Sequence, residues 1–193
     1  MTSGDEPGGP NPPPLDAEQR ETLLQANERL RKRILGAGKV AAFNGWTLVV
    51  FGALSLLTGA FSATGLVVGV VLLGFGWNEL RGRRLLRRLD RNGPHVLGWN
   101  QIGLAVAAFV YCAWSSWRAW AHPEPMLAEL ETTLGISSSE IARMTVLAYA
   151  VVFVVSAVAL ALTARYHFTR RERLEAYLRE TPEWVVEIQR STL

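Results

Sequence analysis

The chain has 193 residues, of which 49% are hydrophobic and 19% charged, and its formal net charge is +3. Long uncharged segments alternate with short, strongly charged ones, which is typical of an integral membrane protein and not of a soluble domain. The single cysteine, Cys112, excludes an internal disulfide and any metal site built from several cysteines.

The first segment, residues 1–14, contains five prolines and three glycines and is predicted to be a disordered tail. Residues 15–37 are predicted to form a cytosolic helix beside the membrane. Asp16 can cap this helix, with Gln19 three residues later as the reciprocal partner. Acidic residues lie early and basic residues late, which suits the helix dipole, and the glycines from Gly36 onward are expected to end the helix.

The next segment, residues 40–78, carries no charge and is too long for one membrane helix. We therefore divide it near Ser62 into spans at 40–59 and 63–80, joined by a tight hairpin. Small residues let membrane helices approach closely, so the regularly spaced glycines of this segment are predicted to form the contact between the two spans. These glycines are Gly38, Gly45, Gly52 and Gly59, seven residues apart, and Gly65 and Gly69 in a G-x-x-x-G pattern.

Residues 81–95 form a basic loop in which six arginines occur among eleven residues. At 100° per residue the leucines fall on one side and the arginines on the other, which predicts an amphipathic helix ended by Asn92-Gly93-Pro94. We expect its leucines to enter the bilayer surface and its guanidinium groups to bind anionic lipid headgroups. Nucleic acid is a less favoured partner, because the tether between two spans leaves little room for a duplex. The arginines are Arg81, Arg83, Arg84, Arg87, Arg88 and Arg91.

Two further uncharged runs predict spans at 96–117 and 144–164, separated by an outer loop at 118–143. In that loop a short helix is expected at 126–134, and Ser137 to Ser139 offer an N-cap for the following helix, with Glu140 in its first turn. The spans thus complete a membrane domain covering residues 38–166.

The remainder, residues 167–193, is predicted to be a charged cytosolic tail. It contains a helix at 168–180 and a helix restart at Thr181-Pro182-Glu183, because threonine is a good N-cap and proline suits the first helical position. The apolar side of the last helix is expected to contact the bilayer surface or the first cytosolic helix.

The basic residues also predict an orientation. Of 20 lysines and arginines, only Arg118 and Arg143 lie in the outer connections, which leaves 18 on the opposite side. The positive-inside rule therefore places both termini in the cytoplasm of a bacterial-type plasma membrane. The predicted fold class is an all-α integral membrane protein with four spans and with cytosolic amphipathic helices at the N-terminus, the central loop and the C-terminus.

Polar and aromatic residues are predicted to gather at the inner ends of the spans. One interpretation is an aromatic belt whose carboxamides hydrogen-bond between helices. The alternative is a polar cup that holds a lipid headgroup or another small polar ligand, because polar clusters within membranes often mark sites. The cluster consists of Asn44, Trp46, Trp77, Asn78, Glu79, Trp99, Asn100 and Gln101.

No recognisable catalytic or metal-binding motif is present, and His95, His122 and His167 all lie outside the predicted spans. We therefore expect no catalytic residues, no bound metal and no cofactor. The leading hypothesis is a non-enzymatic scaffold or accessory protein, with a second copy or another membrane protein as partner. A channel or carrier subunit working as an oligomer is the alternative, and a lipid-modifying enzyme, for which only Glu79 and His95 qualify, is less favoured.

Overall fold

The computed structural model describes residues 15–30, 34–59, 62–121, 135 and 137–192. These residues form helices and their short connections. The helices are α1 (Ala17–Leu30), α2 (Gly36–Gly59), α3 (Ala63–Arg87), α4 (Asn92–Ala121), α5 (Ser138–Glu180) and α6 (Glu183–Thr192).

Four of these helices, α2 to α5, are long and apolar enough to cross a membrane. The predicted all-helical class and the four candidate spans are therefore confirmed within the described residues. The predicted tail at 1–14 and the short helix at 126–134 lie outside them.

Two predicted helix caps are also confirmed. The backbone N–H of Gln19 donates to Asp16 Oδ1 at 2.7 Å, and the Asp16 N–H donates to Gln19 Oε1 at 3.1 Å. The Ser137 hydroxyl accepts from the Glu140 N–H at 3.3 Å, while Glu140 Oε2 accepts from the Ser137 N–H at 3.1 Å. Each reciprocal pair satisfies backbone donors that the first helical turn leaves unpaired.

Helices α2 and α3 form a hairpin whose backbones nearly touch. A Cβ placed on Gly59 would lie 2.5 Å from the carbonyl carbon of Gly65, and one on Gly69 would lie 2.9 Å from the carbonyl oxygen of Gly52. Only glycine fits at such distances, because backbone atoms cannot rotate away as side chains do. A Cβ on Gly38 would meet nothing within 4 Å, so the close contact does not extend to the start of α2.

The basic stretch differs from its prediction, because it is not a separate helix. Helix α3 continues through Arg87 and ends in a turn in which the Asp90 N–H donates to the Leu85 carbonyl and the Leu89 N–H to the Leu86 carbonyl. Leu89 adopts the left-handed conformation (φ 54°) that glycine usually supplies. That conformation costs about 1–2 kcal/mol, which burial of the leucine, about 1.5–3 kcal/mol, offsets.

The segment Asn92-Gly93-Pro94 begins α4, so its prediction as a helix stop is wrong. A proline in the first helical turn loses no hydrogen bond, because the N–H groups there have no partner within the helix. The Asp90 carboxylate accepts the Asn92 N–H at 2.8 Å and supports this start.

The four long helices are arranged as two hairpins. Helix α2 packs along α3 and α4 packs along α5, whereas α3 and α4 contact each other less extensively. That contact lies toward the basic end, the end that carries residues 81–91, where Gly82 faces Leu97 and Gly103 faces Phe75. Toward the opposite end the hairpins diverge, and an apolar cavity of about 670 Å³ lies between α3 and α4.

A hydrophobic core lies beyond the basic end. The leucines Leu86 and Leu89 are buried there against the protein, which contradicts the expectation that this leucine stripe enters the bilayer. The stripe correctly predicted a covered face, but the cover comes from α1, α2, α4, α5 and α6. The buried core residues are Leu30, Ile34, Ala37, Ala41, Leu86, Leu89, Leu97, Leu174, Tyr177 and Val186.

Helix α5 runs without a break from Ser138 to Glu180, although separate helices were predicted at 144–164 and 168–180. At 1.5 Å per residue, its 43 residues extend about 65 Å. Helix α6 begins at Glu183, one residue after the predicted first helical position at Pro182, and Thr181 is the C-cap of α5. Helix α6 contacts α1, and the first cytosolic helix was one of the two predicted contacts of its apolar side. Gln189 links these elements, because it accepts from the Tyr177 hydroxyl at 2.8 Å and donates to Asn27 at 2.9 Å.

Candidate polar site at the junction of the hairpins

A cluster of four buried polar side chains lies where the two hairpins meet at the basic end. Glu79 comes from α3, Asn100 and Gln101 come from α4, and His167 comes from α5. Their exposed fractions are 0%, 3%, 2% and 0% respectively. Such burial is costly unless the polar atoms find partners within the protein, so their hydrogen bonds decide what the cluster does.

Asn100 is the most connected member of the cluster. Its Nδ2 donates to Glu79 Oε2 at 2.6 Å and to the carbonyl oxygen of Phe75 at 3.1 Å. Its Oδ1 accepts from Asn78 Nδ2 at 2.9 Å. Because a backbone carbonyl can only accept, the bond to Phe75 fixes which end of the Asn100 amide faces Glu79.

Gln101 completes the cover of the carboxyl group. Its Nε2 lies 3.1 Å from each oxygen of Glu79, so both oxygens receive N–H groups from neutral amides. Helix α2 approaches from the other side, where a Cβ on Gly45 would lie 3.3 Å from the Cβ of Glu79. The carboxyl group is therefore enclosed by α2, α3 and α4.

His167 reaches the same carboxyl group from α5. Its Nε2 lies 3.9 Å from Glu79 Oε1, too far for a hydrogen bond, and neither ring nitrogen has a hydrogen-bond partner in the described structure. The neighbouring Phe168 ring packs on α4, where a Cβ on Gly98 would lie 2.6 Å from it. Sequence reasoning missed His167 because it placed the end of the helix at Ala164.

The other predicted members of the cluster lie apart from this network. Trp46, Trp77 and Trp99 are more than half exposed. The Arg84 guanidinium lies 5.1 Å from the centre of the Trp77 ring, and Trp99 Nε1 donates to His95 at 3.0 Å. The eight predicted residues thus divide into a hydrogen-bonded network of Asn78, Glu79, Asn100 and Gln101, of which Asn78 is only half-buried, and three exposed tryptophans. Asn44 makes no side-chain hydrogen bond to any described residue.

The network links helices α3 and α4, and the amide donors that face Glu79 are used on its carboxyl group. Among the described residues, no three His, Cys, Asp or Glu side chains converge as metal ligands would. No protein-family model matches the chain, and no curated protein or solved structure is significantly similar to it.

We expect the three asparagines to differ in their effect on stability. Asn100→Leu removes three hydrogen bonds and leaves Glu79 partly unpaired, which should cost about 1–3 kcal/mol or more. Asn78→Leu removes one part-buried bond and should cost about 0.6 kcal/mol, and Asn44→Leu should have almost no effect. Thermal unfolding of the full chain in mild detergent measures this order. Equal losses for all three variants would contradict the network described above.

Proposed function

We propose that the chain is a four-span protein of a bacterial-type inner membrane that acts as a non-enzymatic scaffold, with a basic cytoplasmic side that binds anionic lipid headgroups. Support for the membrane location comes from the apolar surface of the long helices. Large side chains such as Phe51 on α2 and Leu147 and Val155 on α5 are more than half exposed. Apolar surface on this scale requires a lipid or protein cover.

The orientation in this proposal follows from the 18 basic residues on one side of the spans against Arg118 and Arg143 on the other. With that orientation the core beyond the basic end is cytoplasmic. It brings α1, α6 and the end of α5 together as a helical layer directly beneath the bilayer. Such a layer offers a surface for partners, and this surface is why we favour a scaffold over an enzyme.

The observation that carries the headgroup proposal is the separation of arginines from leucines at the end of α3. Leu86 and Leu89 are buried in the protein, whereas Arg83 is half-buried and the other five arginines remain exposed. Arg84 lies against the exposed Trp77, and tryptophan prefers the headgroup level of a bilayer. The contact of Arg84 with Trp77 supports a position of this guanidinium group at the depth where lipid phosphates lie.

The test replaces Arg84, Arg87 and Arg88 by glutamine and counts phosphatidylglycerol molecules retained by the full chain in native mass spectrometry. Each lost arginine should weaken headgroup binding by about 1 kcal/mol, or roughly fivefold. The matched control replaces Arg173, Arg179 and Arg190 by glutamine, which removes the same charge from the exposed surface of α5 and α6. Equal loss in the two variants, or retention unchanged at about 1 M salt, would refute the headgroup proposal.

A further inference from the structure

The amide donors around the buried carboxyl group of Glu79 cannot compensate the negative charge that this group carries when it is ionised. Asn100 and Gln101 hydrogen-bond to it but are neutral, so an ionised Glu79 would remain an uncompensated charge inside the protein. Burying a single charge is far more costly than burying a neutral or paired group. A positive charge or a proton is therefore required at this position.

His167 lies where it can supply a positive charge or a proton to Glu79. Its Nε2 faces Glu79 Oε1 at 3.9 Å, both groups are fully buried, and neither ring nitrogen hydrogen-bonds to another described residue. A shift of about 1 Å would bring the two atoms to hydrogen-bonding distance. A buried neutral imidazole with unpaired nitrogens is also unfavourable, although less so than a buried charge, and one proton shared between His167 Nε2 and Glu79 Oε1 gives both atoms a partner.

We propose that Glu79 and His167 form a buried proton-binding site that holds the two hairpins together at the basic end. With one proton the pair has no net charge, whether the proton lies on the imidazole or on the carboxyl oxygen. When a base in bulk water removes that proton, the N–H or O–H bond breaks, and the carboxylate and the neutral imidazole together carry one negative charge. Nothing is oxidised or reduced in this step.

The surroundings of the pair contain few other charges. From α5, Tyr166 contacts the His167 ring, and the Arg170 side chain, one turn further on, lies over the Tyr166 ring and repels an imidazolium. From α4, His95 packs against Phe168 beside the site, and α2 contributes Gly45. Arg170 thus opposes a second proton on the pair, which keeps the expected stoichiometry at one.

The location of the pair explains why its proton should affect the whole molecule. Glu79 belongs to the first hairpin and His167 to the second, and the contact between the hairpins lies toward this end. A net charge at this point would weaken the junction from which the hairpins diverge. The stability of the junction should therefore be present while the proton is bound and decrease as rising pH removes it.

The test is the pH profile of thermal unfolding of the full chain in lipid nanodiscs between about pH 5 and about pH 9, where perturbed carboxyl and imidazole groups titrate. Glu79→Gln cannot develop the buried charge, so the wild-type midpoint should fall relative to that of E79Q as the pH rises. The control Glu175→Gln alters a partly exposed carboxylate on α5 and should follow the wild type. Parallel profiles for wild type and E79Q would overturn the proposal.

A second measurement needs no variant and applies even where E79Q does not fold. Infrared spectra of the wild-type chain report a protonated carboxyl group, and nitrogen NMR of labelled histidine reports an imidazolium. Ordinary carboxyl groups, with a pKa of about 4, are already ionised above about pH 6, so only a perturbed group contributes there. The chain has three histidines, so only the imidazolium signal assigned to His167 is counted. Either that signal or the carboxyl band should disappear as the pH rises, and persistence of both or absence of both throughout would overturn the proposal.

Discussion

Replacing Gly59 by leucine is expected to separate α2 from α3 and to cost at least about 3 kcal/mol of stability, at the upper end of overpacking effects. A Cβ at this position would lie 2.5 Å from the Gly65 carbonyl carbon and from the Leu66 nitrogen. Both are backbone atoms, so no change of rotamer relieves the overlap. The helices must move apart, and the contacts between Gly52 and α3 further along the hairpin are lost with them.

Gly74→Leu is the matched control, because Gly74 also lies within the hairpin, on α3, but a Cβ there would meet nothing within 4 Å. Leucine has a higher helix propensity than glycine by nearly 1 kcal/mol, so this variant should be neutral or slightly stabilised. Thermal unfolding of both variants in mild detergent gives the comparison. Equal midpoints would show that α2 and α3 do not pack through their glycines.

Leu174→Ala should destabilise the core beyond the basic end by about 2–5 kcal/mol, the range for removal of a fully buried leucine. The cavity would lie between α5 and the helices that pack on it, so α1 and α6 should become more accessible. Hydrogen exchange of the full chain in nanodiscs should show faster exchange in both helices.

Leu162→Ala makes the same chemical change on the same helix at a side chain that is 62% exposed. Because little packing is lost there, we expect less than about 1 kcal/mol and no change in the exchange of α1 or α6. A comparable effect of the two substitutions would mean that the terminal helices do not depend on this core.

The four candidate spans and the two helix N-caps could be predicted because their signals are local. An uncharged run of about 20 residues needs no knowledge of the rest of the fold, and neither does an acidic or hydroxyl N-cap with its partner three residues later. The leucine stripe of residues 81–91 was also readable as a covered face. The residues that cover this face could not be predicted, because the periodicity of a helix shows which face is buried but not which element packs against it.

The helix start at Asn92-Gly93-Pro94, the conformation of Leu89 and the role of His167 could not be predicted from the sequence, because the signals for them are ambiguous or lie far away in the chain. A glycine followed by proline suits both the end and the start of a helix. Leu89 adopts the left-handed conformation, the cost of which is offset by the burial of its side chain in the tertiary structure. His167 was missed because charges after Ala164 suggested the end of the helix. Charged residues on one side do not end a helix whose other side, with Leu174 and Tyr177, is buried.

The uninterrupted course of α5 has a mechanical consequence. The hydrocarbon layer of a bilayer is about 30 Å thick, so a helix of about 65 Å that crosses it as we propose has more than half of its length outside that layer. The segment from Ala164 to Glu180 alone is a rigid arm of about 24 Å, so a tilt of about 10° displaces its tip by roughly 4 Å. No loop interrupts α5 between Ser138 and Glu180, so a tilt of the second hairpin would displace the start of α6 by a comparable distance.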